Sequence, residues 1–393
     1  MEQQDAGDSD VIHIRASRNA KGQITRVAVS LPPCAWMGAT VLGLTPEHAA
    51  QRLLDEASHS PRAHACALSM ACAAAQGRPE PDVDSRLAIE RTLAAEAADA
   101  HLRRLLIEWP PLLDFEPRHS RFAEFHRRLT LDPHTDGPAA FALGGELLDL
   151  VAREMLAGFF NQIRMPHGIG EFLERLQAGG SLGAVLSELI ALGPSGAPVP
   201  KPVSMLGTLS AAAWVGTVGA WPDASFVRQP EYAGEPAETG PLARHAASAL
   251  VRVLLERGHR VSARLFAKAI DVGDCASRMR YPLDEEVAPL ADATQVAPGV
   301  GMARVDTARG VLLCWVRLEE DRIADCAIVP AGAWNFHPDG AFCREATCPS
   351  AGNEDHDAAL LRLSLLALAF DPSLPHRVEL VDERRPRKGS PAR

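Results

Sequence analysis

The chain has 393 residues, 47% of them hydrophobic and 23% charged, which is the balance of a soluble globular protein with one large or two modest cores. Its net charge of −10 argues against non-specific nucleic-acid binding, which needs a basic face, and no run of about twenty apolar residues is long enough to insert in a membrane. Eight cysteines without a Cys-x-x-Cys pair do not make a disulfide framework, and a reducing cytoplasm is expected.

Residues 1–10 are acidic and polar, lack the basic and apolar regions of a secretory signal, and are expected to form a flexible N-terminal tail. Val11–Ile14 and Ile24–Val29 are short β-branched runs around the turn-forming Asn19–Gly22, predicting a hairpin. A helix is predicted over Pro46–Ala57 with Thr45 as N-cap, and another over Ala63–Gln76, whose small residues suit close packing. Ser85–Glu108 carries an apolar stripe at helical spacing, and Trp109-Pro110-Pro111 stops it. Helices follow over Glu146–Gln162 and Glu171–Leu176.

Gly193–Val203 reads as a long surface loop or linker. Arg244–Glu256 and Ser262–Ile270 resume the helices. Val311–Leu318 and Arg322–Val329 predict a second hairpin turning at Glu319-Glu320-Asp321, and a final helix covers Asp357–Phe370. Strands at both ends of a helical middle give an α+β, mainly helical fold class. The expected organisation is a single domain over 11–382, made of an N-terminal block 11–76, a helical middle 77–290 and a C-terminal block 291–382. A flexible basic tail, 383–393, closes the chain.

Three features of the C-terminal block occur in order: Asp306-Thr307-Ala308-Arg309-Gly310, Trp334-Asn335, and Asp371-Pro372-Ser373-Leu374-Pro375-His376. This order resembles the C-terminal third of [NiFe]-hydrogenase large subunits, with their Arg-Gly turn, Trp-Asn pair and Asp-Pro-Cys-x-x-Cys. The segment Ala57-Ser58-His59-Ser60-Pro61-Arg62-Ala63-His64 is similar to the family's N-terminal Cys-Gly-x-Cys-Pro-x-x-His. Ala57, Ser60, Ser373 and His376 stand at the four cysteine positions. Nickel needs soft thiolate donors; alanine offers no donor and a neutral serine only a hard one. The family's Arg-Ile-Glu-Gly-His motif has no counterpart, and Glu379 occupies the position where the family is cleaved, with a short polar tail after it.

These features, with Glu108-Trp109-Pro110-Pro111-Leu112-Leu113, resemble hydrogenase expression/formation accessory proteins of the HupK/HoxV type, degenerate relatives of the large subunit. The resemblance implies a large-subunit-like fold with a helical core flanked by N- and C-terminal β-hairpins. It also implies a non-catalytic scaffold or chaperone for assembly or transfer of the Fe(CN)2(CO) unit, which would be held only transiently, with nickel excluded. Arg309 would donate to cyanide, since a guanidinium is a good donor to an anionic nitrogen. Its alternative reading is a surface arginine closing a strand turn. His64, His376, Ser373 and Ser60 complete the expected cofactor contacts, with His376 the candidate iron contact. The implied partners are a small maturation chaperone and the apo large subunit.

Two other readings stand beside this one. A cofactor-free interaction protein would use only the surface of the fold. A hydrolase built on Ser373 and His376 lacks an acid placed to orient the histidine. The cysteines Cys66, Cys72 and Cys314 are read as packing, whereas Cys343 and Cys348, five apart in a loop, are close enough to share a metal or oxidise but have no second Cys/His pair to complete a zinc site.

Overall fold

The computed structural model describes residues 11–32, 37–131, 137–162, 164–194, 196, 198–281, 286–349 and 354–383; both predicted tails therefore lie outside the described residues, apart from Glu383. The N-terminal hairpin forms as β1 (Ile12–Arg18) and β2 (Ile24–Ser30). Helix α1 (Pro46–Glu56) starts where the sequence indicates, with the Thr45 hydroxyl accepting from the His48 amide. Helix α2 (Pro61–Ala75) follows, then α3 (Val83–Arg103), capped by Asp82 at 2.8 Å from the Ser85 amide. The last turn of the predicted Ser85–Glu108 helix widens into a π-helical turn over Arg104–Glu108.

The middle is more helical than its sequence suggests. Helices α4 (His119–Leu131), α5 (Gly137–Asp149), α6 (Ile169–Leu176) and α7 (Ser181–Ala191) precede the 193–203 loop. The predicted Glu146–Gln162 helix is instead the end of α5, a π turn over Leu150–Met155 and a short 3-10 turn. A two-stranded ladder of β3 (Ser204–Met205) and β4 (Ala237–Glu238) brackets α8 (Ala211–Val218) and α9 (Ala224–Arg228). The predicted Arg244–Glu256 helix is two: α10 (Pro241–His245) and α11 (Ala249–Glu256).

Helix α12 (Arg260–Arg280) runs ten residues past its predicted end and packs against α3, α5, α7, α10, α11 and α15. Its buried residues include Arg264, Lys268 and Asp271, whose charges interrupt the apolar pattern. Each is paired: Arg264 with Glu238 and Glu345, Lys268 with Asp371, and Asp271 with Arg244, His101 and His245. A buried charge is tolerated only with such partners.

The second hairpin is half of a four-stranded antiparallel sheet, β5 (Ala291–Ala297), β6 (Val300–Thr307), β7 (Gly310–Glu319) and β8 (Arg322–Val329). One face packs on α1 and α2 through Ala303, Val305, Leu312, Cys314 and Val316. The other carries Met302, Leu313, Trp315, Trp214 and Trp334. Both faces are thus covered, and the polar/apolar alternation of a half-exposed strand is missing from β6. Short helices α13 (Ala331–Asn335) and α14 (Ala341–Ala346) lead to α15 (His356–Ala369). Cys343 therefore sits in a helix rather than the predicted loop, and both Cys343 and Cys348 are buried.

Residues 380–382, expected to belong to the polar tail after Glu379, are strand instead. Strand β9 (His376–Asp382) pairs in parallel with β1, from Ile12 opposite His376 to Arg18 opposite Asp382, giving the order β2-β1-β9. The first and last described strands thereby share one sheet. Among the described residues no helix is long and apolar enough to cross a membrane.

A candidate anion-binding cavity

Five separate pieces of the chain meet around one cavity of about 650 Å3. Ser58–Arg62 come from the approach to α2, and Glu96, Asp99, Ala100, Arg103, Arg104 and Glu108 from the end of α3 and its π turn. Thr130 comes from the end of α4, Arg309 from the β6–β7 turn, and Ser373–His376 from the link between α15 and β9. Two segments carry non-glycine residues in the left-handed region, Ser60 (φ 46°) and Asp371 (φ 58°). Such positions cost about 1–3 kcal/mol each and persist where packing over-determines them.

Asp371 is the hub beneath the cavity floor. Its carboxylate accepts from Arg104 Nε at 2.7 Å and from Lys268 Nζ at 2.6 Å, and lies 3.3 Å from Arg309 Nε. Burial alone would push this carboxyl up, but Lys268, Arg104 and Arg309 together hold it well below the usual carboxylate range. Arg104 also donates to the Pro372 carbonyl and to Glu108, one turn along the π segment. Arg104 thus donates to three acceptors and Lys268 to Asp371.

Arg309 is different. Only 9% exposed, it forms no hydrogen bond through its guanidinium among the described residues beyond the longer contact with Asp371. Burial draws its pKa down, with Asp371 opposing. The surface-arginine alternative is therefore set aside. Its backbone is clamped: the Arg309 amide donates to Thr307 Oγ1 at 3.1 Å, and its carbonyl accepts from Asn335 Nδ2 at 3.2 Å. Asn335 Oδ1 accepts from the Thr239 amide, and Thr239 Oγ1 accepts from the Val311 amide. The Trp334-Asn335 pair singled out in the sequence thus buttresses the arginine turn.

The other predicted contacts divide. Ser60, Ser373 and His376 line the cavity, whereas Ala57 is buried in the core under α1 and α2. His64 does not reach the cavity wall. Its Nδ1 bonds to the Ser60 carbonyl at 2.9 Å, and the His59 ring stands edge-on to it at 5.3 Å. His59, to which the sequence analysis assigned no role, takes the place in the wall. Burial lowers the pKa of both His59 and His376, with neighbouring arginines acting in the same direction, so each is a neutral imidazole with a free lone pair at neutral pH.

No cysteine lines the cavity among the described residues, and Cys66, Cys343 and Cys348 do not approach Arg309 through it. Four arginines face three carboxylates, Glu96, Asp99 and Glu108. With an unsatisfied buried guanidinium and neutral imidazoles, the arrangement suits an anion that accepts hydrogen bonds, or a metal complex carrying such ligands. Away from the cavity, His245, Asp271 and Asp274 stand within metal-binding reach of one another, but both Asp271 oxygens already accept from Arg244.

The chain is 27% identical over 383 residues to the hydrogenase expression/formation protein HoxV of Cupriavidus necator, covering 92% of this chain and 94% of that protein. It is 35% identical over 151 residues to the hydrogenase expression/formation protein HupK of Azotobacter vinelandii, covering 38% and 40%. The chain is a homologue of the HoxV/HupK hydrogenase expression/formation proteins. No protein-family model matches it. Among solved structures, an NAD+-reducing [NiFe]-hydrogenase matches 91% of this HoxV homologue and 94% of the compared chain, with TM-score 0.57 and 14% identity. The Ni-Fe-Se hydrogenase of D. vulgaris Hildenborough matches 89% and 93%, with TM-score 0.54 and 15% identity. The fold of this HoxV homologue is that of a [NiFe]-hydrogenase large subunit.

Proposed function

We propose that this HoxV homologue acts in [NiFe]-hydrogenase maturation as a non-catalytic scaffold that holds the Fe(CN)2(CO) unit on its way to the apo large subunit. The observation that carries this reading is the Arg309 guanidinium, buried and short of acceptors, at the wall of a cavity that no thiol lines among the described residues. A cyanide nitrogen is an anionic acceptor of the kind that arginine lacks there. His376 or His59 can offer iron a neutral imidazole, while Ser60 and Ser373 give hydroxyl contacts. With no thiolate lining it among the described residues, the same cavity offers no ligand set for nickel there. Weak, incomplete ligation suits a cargo that must leave again. The names of the relatives support a role in maturation, and a small chaperone as donor and the apo large subunit as acceptor follow from the same reading.

The test is infrared spectroscopy and iron analysis on protein purified from a host that makes the full maturation machinery. Cyanide and carbonyl bands on the wild-type protein, lost in Arg309→Ala, are expected. Bands absent from wild type would favour the cofactor-free interaction protein. An Arg309→Ala, His376→Ala double variant that supports normal hydrogenase maturation would favour it too.

A further inference from the structure

The N-terminus of α2 opens beside the cavity, and its first-turn amides are already taken. Ser60, the N-cap, makes no side-chain cap bond. Glu96 reaches across from α3 in its place: Oε1 accepts from the Arg62 amide at 2.8 Å and Oε2 from the Ala63 amide at 3.0 Å. Orphan amides at a helix start form an anion site. Here the anion is one of the protein's own side chains, and it lines the same cavity as Arg309.

Glu96 is poorly placed to stay ionised. Burial pushes its carboxyl up to about 7, outweighing the two amides, Arg62 and Arg309. From the α2 approach come His59 and Arg62; from α3 and its π turn Asp99, Arg103, Arg104 and Glu108; from the β6–β7 turn Arg309; and from the α15–β9 link His376, with Asp371 beneath. His59 and His376 are lowered, Asp371 is held down by three cations, and guanidinium groups as a class stay charged. Asp99 is raised by burial, with His126 opposing.

We propose that Glu96 is a resident counter-ion of the cavity, and that an anionic cyanide-bearing ligand binds there together with one proton, which the Glu96 carboxylate takes from solvent. The added negative charge disfavours the carboxylate, so the carboxyl O–H forms as the ligand arrives. The unprotonated oxygen continues to accept from its own α2 amide while the O–H on the other becomes a donor on the cavity wall. The charge beside Arg309 passes from Glu96 to the ligand, and the cavity's net charge is conserved. This inference rests on the proposed cavity function and adds its proton dependence.

The experiment is isothermal titration calorimetry of the full chain with the cyclopentadienyl-dicyano-carbonyl-iron(II) anion, in buffers of different ionisation enthalpy. Uptake of about one proton per anion is expected near pH 8, falling toward none near pH 5.5, with affinity weakening up to about tenfold per pH unit above 7. Glu96→Gln should bind with no proton uptake near neutral pH and a flat profile. Binding without proton uptake overturns the proposal, as does a Glu96→Gln profile identical to wild type. So does an uptake midpoint below about 6, which belongs to histidine. If the Gln variant does not fold, Asp99→Asn, the other raised carboxylate of the cavity, decides: proton uptake is expected to persist there, and its loss overturns the proposal. No binding by either protein at any pH overturns the cavity function itself, and the proton inference with it.

Discussion

Asp371 holds its three cations together only because a left-handed backbone turn aims its carboxylate back under the cavity. Asp371→Ala removes the single anion shared by Lys268, Arg104 and Arg309, and is expected to cost about 3–5 kcal/mol in a denaturant titration. The pH dependence follows from its lowered pKa. The Asp371 contribution is complete above the unfolded-chain value of about 4 and is lost as pH falls through the lower folded value. Acid titrations of wild type and Asp371→Asn should therefore converge as pH drops below about 4. At this scale Arg309, Ser373 and His376 were legible in the sequence, because each sits in a short motif with its neighbours. Lys268 and Arg104 were not, since their partner Asp371 lies in another element and a lone mid-helix cation reads as solvated. His64 was misplaced in the wall because two histidines of one motif compete for it, and only packing puts His59 outermost.

The β6–β7 turn is the element that fixes Arg309. Gly310 has φ +129°, and a Cβ there would meet Thr239 Cγ2 at 2.3 Å. Gly310→Ala combines a backbone conformation closed to alanine with a clash against the Thr239 clamp. A loss of about 1–3 kcal/mol is expected by thermal or chemical unfolding, together with weaker binding of the iron-dicyano probe. An unchanged melting temperature and probe affinity would show that the turn is not rigid. The capped starts of α1 and α3 and the β7–β8 hairpin follow their local patterns, because propensity and capping act within a few residues. Strand β6 has no such pattern: both faces are covered, and Arg304 and Asp306 are paired with each other within it. The second half of α12 is missed for the same reason, its Asp271 and Arg278 charges being satisfied by α3 and α10.

Across the whole molecule, β9 ties the C-terminal block to the first strand. It extends straight from the cavity-lining Ser373–His376, so the wall is held between α15 on one side and the sheet on the other. Truncation after Pro375 would leave β1 with an unpaired edge and free that wall. Faster hydrogen exchange at the Ile12–Arg18 amides and loss of probe binding are expected, whereas protection in α12 should hold. The sequence by itself determined the fold family, the order of the motifs and the absence of thiolates at four positions, because each is a statement about residue identity along the chain. Only the tertiary structure decided that Arg309 is buried with an unmet donor, that His59 displaces His64, and that Glu96 caps another helix beside the cavity. Those facts depend on distances between segments that no local pattern encodes.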